Sequence, residues 1–258
     1  MKQFYIVVGL YMIIVSCGFS NPDDPAQKET KKSIPAGKAK EIKTEIVFTA
    51  GTLNINSSTK MLCEGRYKFE KDEWKPDISY HEDNQKGFLE IKTTDERENK
   101  NYEDADECKW DLSINKDIKN DLNIHFFAGE ANIDLEDCRL KKFDFSMFAG
   151  EVNINLVNTS VPDLSFQGFA GDAVIDLSGK WKNDLNADIK GGVGELSLKF
   201  PADIGIRLTI TGLLGEVNAP DFNKQSGTYT NSLFGETKEN LYVDITGGIG
   251  SVDIILVK

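Results

Sequence analysis

Five carboxylates recur at one point of a repeated phrase. Glu130, Glu151, Asp172, Glu195 and Glu216 each follow a glycine, and the first three close the tetrapeptides Phe-Ala-Gly-Glu, Phe-Ala-Gly-Glu and Phe-Ala-Gly-Asp that begin at Phe127, Phe148 and Phe169. Side chains brought together by such a repeat are oxygen donors for a hard divalent cation, and Asp134, Asn155 and Asp176 would share their face. Weak calcium binding is one expectation for the column. The other is a solvated acidic face, because in water neighbouring charges about 5 Å apart repel by only about 1 kcal/mol. Phe127, Phe148 and Phe169 are expected to pack from repeat to repeat, as cross-strand aromatics do, rather than to stack on sugars. Trp181, in the polar turn Ser178-Gly179-Lys180-Trp181-Lys182, reads either as a half-buried surface residue or as a contact for a carbohydrate or partner.

Nothing comparable supports catalysis. The two histidines, His81 and His125, have no serine or cysteine partner in a recognisable motif, and His125 alternates outward between Ile124 and Phe126. Arg207 stands alone among the later repeats, which leaves a polysaccharide lyase without a clear basic centre. No phosphate loop or zinc-type spacing occurs, so no enzyme activity and no cofactor are expected. A net charge of −12 with only four arginines argues against nucleic acid, whose phosphates need clustered cations.

The elements that hold these residues follow from their periodicity. Glycine recurs at Gly129, Gly150, Gly171, Gly194, Gly215 and Gly250, most steps being 21 residues, and a divergent copy of the phrase sits at Thr49-Ala50-Gly51-Thr52. Two and four residues after each glycine the chain is apolar (Ala131 and Ile133, Val152 and Ile154), while the positions between are mostly polar. A second alternating run precedes each glycine, as in Leu122, Ile124 and Phe126. Period two on both sides of a glycine means two strands meeting at a corner, with their apolar faces turned to the same side. Stacking each copy on the last gives an all-β, single-stranded β-helix of about 21-residue rungs, six or seven of them, with an N-terminal β cap. Glycine suits the corner because it accepts positive φ and close backbone approach.

The expected boundaries are a signal peptide over 1–16, a flexible tether over 17–43, a cap region over 44–109, and β-helix repeats with a C-terminal cap over 110–258. The signal rests on Lys2, the 12 apolar residues from Phe4 to Val15, and Ile14-Val15-Ser16-Cys17. That stretch is too short to span a bilayer comfortably, and the tetrapeptide resembles a bacterial lipobox. The resemblance implies cleavage before Cys17 and lipid attachment to it; an ordinary secretory signal or an uncleaved anchor is the other reading. Residues 20–43 are polar and lack the apolar content to pack, and 94–107 form an acidic insertion read as a mobile loop. Of the remaining Cys63, Cys108 and Cys138, at least one must be unpaired, and a staple between Cys63 and Cys108 is plausible.

From Glu45 to Lys258 the chain resembles the bacterial toast-rack domain. The carrying segments are VFTAGTLNI, WKPDISY from Trp74 to Tyr80, the tandem FAGEANIDL and FAGEVNINL, LKFPADIGIRLTI from Leu198 to Ile210, and the closing ITGGIGSVDI. The resemblance implies a single-stranded β-helix of envelope proteins, with no catalytic residues to carry over. The expected protein is therefore a lipid-anchored, non-enzymatic module of the cell envelope, scaffold or adhesin-like, with an envelope protein or glycan as partner. A regulatory module of the cell-envelope stress response, as in the LiaF type, is the alternative that the family implies, although the multi-span membrane segment of those regulators is missing. A polysaccharide-processing β-helix enzyme is the third.

Overall fold

Period-two alternation produces strands and almost nothing else. The structure, a computed structural model, describes residues 27–93 and 108–258. The signal peptide, Cys17 and the acidic insertion lie outside the described residues. The strands are β1 (Lys28–Ile34), β2 (Glu41–Asn56), β3 (Ser58–Phe69), β4 (Pro76–Asp83), β5 (Lys86–Thr93), β6 (Lys109–Asn115), β7 (Lys119–Asp134), β8 (Leu140–Asn155) and β9 (Asp163–Asp176). They continue with β10 (Leu185–Lys190), β11 (Val193–Pro201), β12 (Gly205–Thr211), β13 (Leu214–Asn218), β14 (Asn223–Gln225), β15 (Thr228–Thr230), β16 (Asn240–Thr246) and β17 (Ile249–Val257). One short 3-10 turn, Asp72–Trp74, is the sole helical element among the described residues.

β2, β7, β8 and β9 are whole rungs, each a bent strand with the glycine at the bend. They pair in parallel and in phrase register, Gly51 against Gly129, Gly129 against Gly150, and Gly150 against Gly171. In β7 the inward residues are Leu122, Ile124 and Phe126 before the bend but Ala131 and Ile133 after it. The inward parity therefore changes within one strand, and Gly129, at φ +117°, absorbs the change. A second constraint acts at the same atom: a Cβ on residue 150 would stand 2.1 Å from the Gly129 carbonyl oxygen. Any L side chain at the corner would thus meet backbone as well as an unfavourable φ.

The inner faces close over one continuous core. Phe48, Phe126, Phe145 and Phe166 stack through successive rungs with ring centroids 5.8, 6.3 and 5.7 Å apart, and Trp110 meets Phe48 edge-on at 5.0 Å. The links between rungs join the ladder too: the Leu135, Leu156 and Leu177 amides donate to carbonyls of the next rung at Asn155, Asp176 and Lys199. All three leucines are fully buried.

Several boundaries differ from the sequence expectation. β1 pairs antiparallel with β3 and buries Ile34, so ordered chain begins by Lys28 rather than at residue 44. Its alternation is lysine-rich, and strand pairing holds it in place of apolar content. The region 44–109 is not wholly a cap, because β2 is a full rung beginning at Glu41. β5 and β6 together form a further layer, pairing in parallel with the two arms of β2. Lys109 to Asn115 therefore belongs to the N-terminal end and does not begin the repeats. β4 and the β3–β1 pair cover that layer.

At the other end the order of stacking departs from the order of sequence. β16 lies between β10 and β12, and β17 between β11 and β13. The last rung of the chain is thus inserted inside the stack and satisfied on both edges, while β12 and β13 become the outer rung. The unusually long step from Gly215 to Gly250 supplies the chain for this, including the β14–β15 hairpin that pairs along β12. The terminal strand is thereby no edge itself, and the outer edge passes to β12, which β15 covers at Arg207 to Thr209, and to β13.

Cys63, Cys108 and Cys138 are free and buried. Cys63 lies opposite Ile114, six residues from Cys108 along the neighbouring strand, a distance of about 20 Å. The plausible Cys63 to Cys108 staple is excluded, since bridged Cα atoms lie within about 7 Å.

The corner assignment predicts that Gly150→Val costs about 3 kcal/mol or more. Asn153→Ala, which removes one long and exposed hydrogen bond, should cost less than about 1 kcal/mol. Thermal unfolding of the two variants checks this, and equal losses would remove the corner from its structural role.

Candidate interaction site

The bend turns three residue types outward. Phe127, Phe148 and Phe169, two positions before the glycine, are 48%, 63% and 54% exposed. Phe148 and Phe169 lie 6.0 Å apart with tilted rings. The rung-to-rung packing expected of these three is present between Phe148 and Phe169, while the continuous stack is the buried one of Phe48, Phe126, Phe145 and Phe166. One position after the glycine stand Glu130, Glu151, Asp172, Glu195 and Glu216, all exposed.

Register brings the first four of these acids side by side. Glu130 lies against Glu151 and Glu151 against Asp172, and the Glu195 amide donates to Asp172 Oδ1 at 2.9 Å. Glu216 does not complete the row, because the inserted β17 places Ser251 between it and Glu195. The five-residue column of the sequence is thus a row of four acids, then Ser251, then Glu216. Glu130 accepts a hydrogen bond from Asn132 Nδ2 at 2.8 Å. Among the described residues no lysine or arginine forms an ion pair with any of the five. Elsewhere acids commonly have cations, as in Lys141 with Glu41 at 2.7 Å and Lys142 with Asp144 at 2.6 Å. Among the described residues no group of three or more His, Cys, Asp or Glu side chains is placed to hold a metal ion.

The neighbouring outward row is an amide ladder. Asn153 donates to Asn132, Asn132 to Asn54, and Asn54 to Asp111. Asn155 donates to Asp134 at 2.9 Å, and Asp176 has Lys199 at 3.8 Å. These groups are engaged with one another along the stack.

The exposed row does not stop at Phe169. Val193, Ile249 and Leu214, each immediately before a corner glycine, are 57%, 55% and 70% exposed, and register sets Ile249 between the other two. Sequence reasoning missed them by following the phenylalanine position alone; the residue before each glycine carried the signal. Behind them the buried side chains of Phe126 and Met147 give way to Gly168, Gly191 and Gly247, leaving a mainly apolar cavity of about 40 Å³.

The remaining candidates are accounted for locally. His125 is held through both ring nitrogens, by Ser146 Oγ at 2.9 Å and Asn123 Nδ2 at 3.0 Å. His81 stacks on Phe88 at 4.8 Å. Arg207, solitary in the sequence, lies 4.9 Å from the Tyr242 ring and 5.8 Å from that of Phe234. Trp181 is half-buried, and its indole donates to the Leu177 carbonyl at 2.9 Å.

The model of the N-terminal domain of toast_rack matches residues 23–165 and 146–199. Among solved structures, a candidate cell adhesion protein from Clostridium sporogenes is 26% identical, with a TM-score of 0.69 over 90% of this chain and 100% of its own. A candidate adhesin from Bacteroides fragilis is 12% identical over 90% of this chain and 99% of its own, with a TM-score of 0.32. No curated protein matches the chain.

Burial holds the thiols of Cys63, Cys108 and Cys138 up at about 12, against an ordinary 9.0. Between those values the unfolded chain releases protons that the folded chain keeps. The associated stability is complete below pH 9 and is lost as pH rises toward 12. The melting temperature should therefore fall between pH 8 and pH 10.5, and less so in a Cys63→Ala/Cys108→Ala/Cys138→Ala variant. An identical fall in both proteins would contradict the assignment.

Proposed function

Because the chain belongs to the toast-rack family, we propose that it is a non-enzymatic lipoprotein of the cell envelope, held to a membrane through Cys17. Its β-helix serves as an adhesin-like scaffold and presents the outer corner to an envelope protein or glycan. The observation that carries this reading is the 26% identity to the Clostridium sporogenes candidate cell adhesion protein over the whole of its solved chain. The architecture supports it physically. Rungs bonded on both edges and filled by one core form a stiff column, and a stiff support keeps exposed side chains ordered without the entropy cost of fixing a loop.

Anchoring rests on Ser16-Cys17 and the apolar segment before them. Among the described residues no helix is long and apolar enough to cross a membrane. A single acyl chain binds membranes only marginally, so a stable lipoprotein requires more than one. The solenoid would contribute the specific contact and the lipid the attachment.

Metabolic labelling with an alkyne fatty acid, combined with fractionation and protease treatment of intact cells, tests the reading. The wild-type protein should carry the label in the membrane fraction, and Cys17→Ala should lose the label and leave that fraction. Beads coated with the chain should adhere to cells or isolated envelopes. Labelling that survives Cys17→Ala would remove the anchor, and beads that fail to adhere would remove the adhesin-like role.

A further inference from the structure

Phe127, Phe148, Phe169, Val193, Ile249 and Leu214 form one exposed apolar ridge that follows the stack, with the acids along one flank. The other flank carries His125, Ser146, Gln167, Lys190, Thr246 and Thr211 in register, and its lysine is paired with Asp188 at 3.4 Å. The unpaired negative charge lies on one side of the ridge: among the described residues the acids have no ion-pair partner within the molecule, whereas Lys190 on the other flank is already paired with Asp188. We propose that this ridge is the docking surface for an amphipathic α-helix of a partner protein, with lysines or arginines along one side of its apolar stripe. The proposal rests on the scaffold reading and names the partner's chemistry.

Spacing selects a helix over an extended strand. Rungs repeat about every 4.8 Å. Successive turns of an α-helix repeat every 5.4 Å, so an i, i+3, i+4, i+7 stripe stays in step with the ridge to within about 0.6 Å per rung. Same-face residues of an extended strand are about 6.8 Å apart and lose register after two rungs. From Phe127 to Leu214 the ridge crosses five rung intervals, about 24 Å, which matches about 16 helical residues. Toward its C-terminal end the row shifts by one residue nearer the acids, beside the cavity floored by Gly191 and Gly247, where an apolar side chain of the helix would enter.

Charge also disfavours the competing occupants. A second copy approaching through the same face would set acid against acid on a chain of net charge −12. An anionic glycan or lipid surface would be repelled for the same reason. A helix with basic residues on the matching flank removes the repulsion within the row while covering the phenylalanines.

The probe is a fluorescein-labelled 18-residue peptide with leucines at i, i+3, i+4 and i+7 spacing and lysines on one flank, titrated with the full chain by fluorescence anisotropy. Saturable binding is expected, with a gain of peptide helicity by circular dichroism. Phe148→Ser/Phe169→Ser and Glu151→Lys/Glu195→Lys should each weaken it at least tenfold, while Asp83→Lys, on the distant β4, should change it less than twofold. Melting curves establish that each variant is folded, and Glu151→Gln, which keeps the side-chain shape, should still weaken binding about threefold. Equal binding of a glutamate-flanked or scrambled peptide would overturn the proposal. So would calcium displacing the probe at low millimolar concentration while an equal ionic strength of NaCl does not, since that would give the acids to a cation. A dimer in sedimentation that Phe148→Ser/Phe169→Ser dissolves would give the ridge to a second copy. If coated beads adhere to envelopes but the peptide does not bind, the scaffold reading stands and the helix-docking proposal alone fails.

Discussion

Successive rungs approach so closely at the corner that no side chain fits between them. The Gly51 carbonyl oxygen lies 2.0 Å from where a Cβ on residue 129 would stand, and the Gly150 oxygen 1.8 Å from the same position on residue 171. The rest of the structure depends on this contact. It lets the bent strands stack in register, and register in turn aligns the inner phenylalanines into one stack and the links into one hydrogen-bonded ladder. Positive φ at Gly129, Gly150, Gly171, Gly194 and Gly250 turns each strand so that both arms face the same core.

The same bend creates the surface. Where a flat strand would alternate regularly across the glycine, the change of parity turns consecutive positions outward, exposing Phe127 and Glu130 on either side of Gly129. Repetition then converts one amphipathic corner into a ridge with an acidic flank. Each phrase divides its labour: the glycine sets the backbone, the residues after the acid fill the core, and the phenylalanine and acid face outward. Stacked rungs of this kind resist local opening because each is bonded to two neighbours, and the ends need separate protection. β1, β3 and β4 provide it at one end, and the β14–β15 hairpin covers the β12 arm at the other.

Much of the fold was legible because period two and a fixed step leave few alternatives. The alternation around Gly129 and Gly150 separates core from surface residues in the sequence itself, and the close approach of backbone accounts for the glycines. What could not be read was order in space. Nothing local in residues 240–257 distinguishes a rung that follows the stack from one that enters it, and only the long step after Gly215 hinted at the difference. β1 was missed because Lys-Glu-Thr-Lys-Lys-Ser has no apolar alternation, its order coming from pairing with β3. The acids of the site were visible as a repeat. Their interruption by Ser251, and the continuation of the ridge into Val193, Ile249 and Leu214, depended on the inserted rung.

The central claim is that within a single phrase the glycine sustains the fold and the phenylalanine does not. Differential scanning calorimetry of Gly171→Ala and Phe169→Ser, measured side by side, addresses it most directly. A Cβ at residue 171 meets backbone and requires an unfavourable φ, whereas Phe169 is more than half exposed. The account predicts a loss of several degrees or more in melting temperature for Gly171→Ala and a change of less than about 3 °C for Phe169→Ser. A silent Gly171→Ala together with a collapsing Phe169→Ser would contradict it.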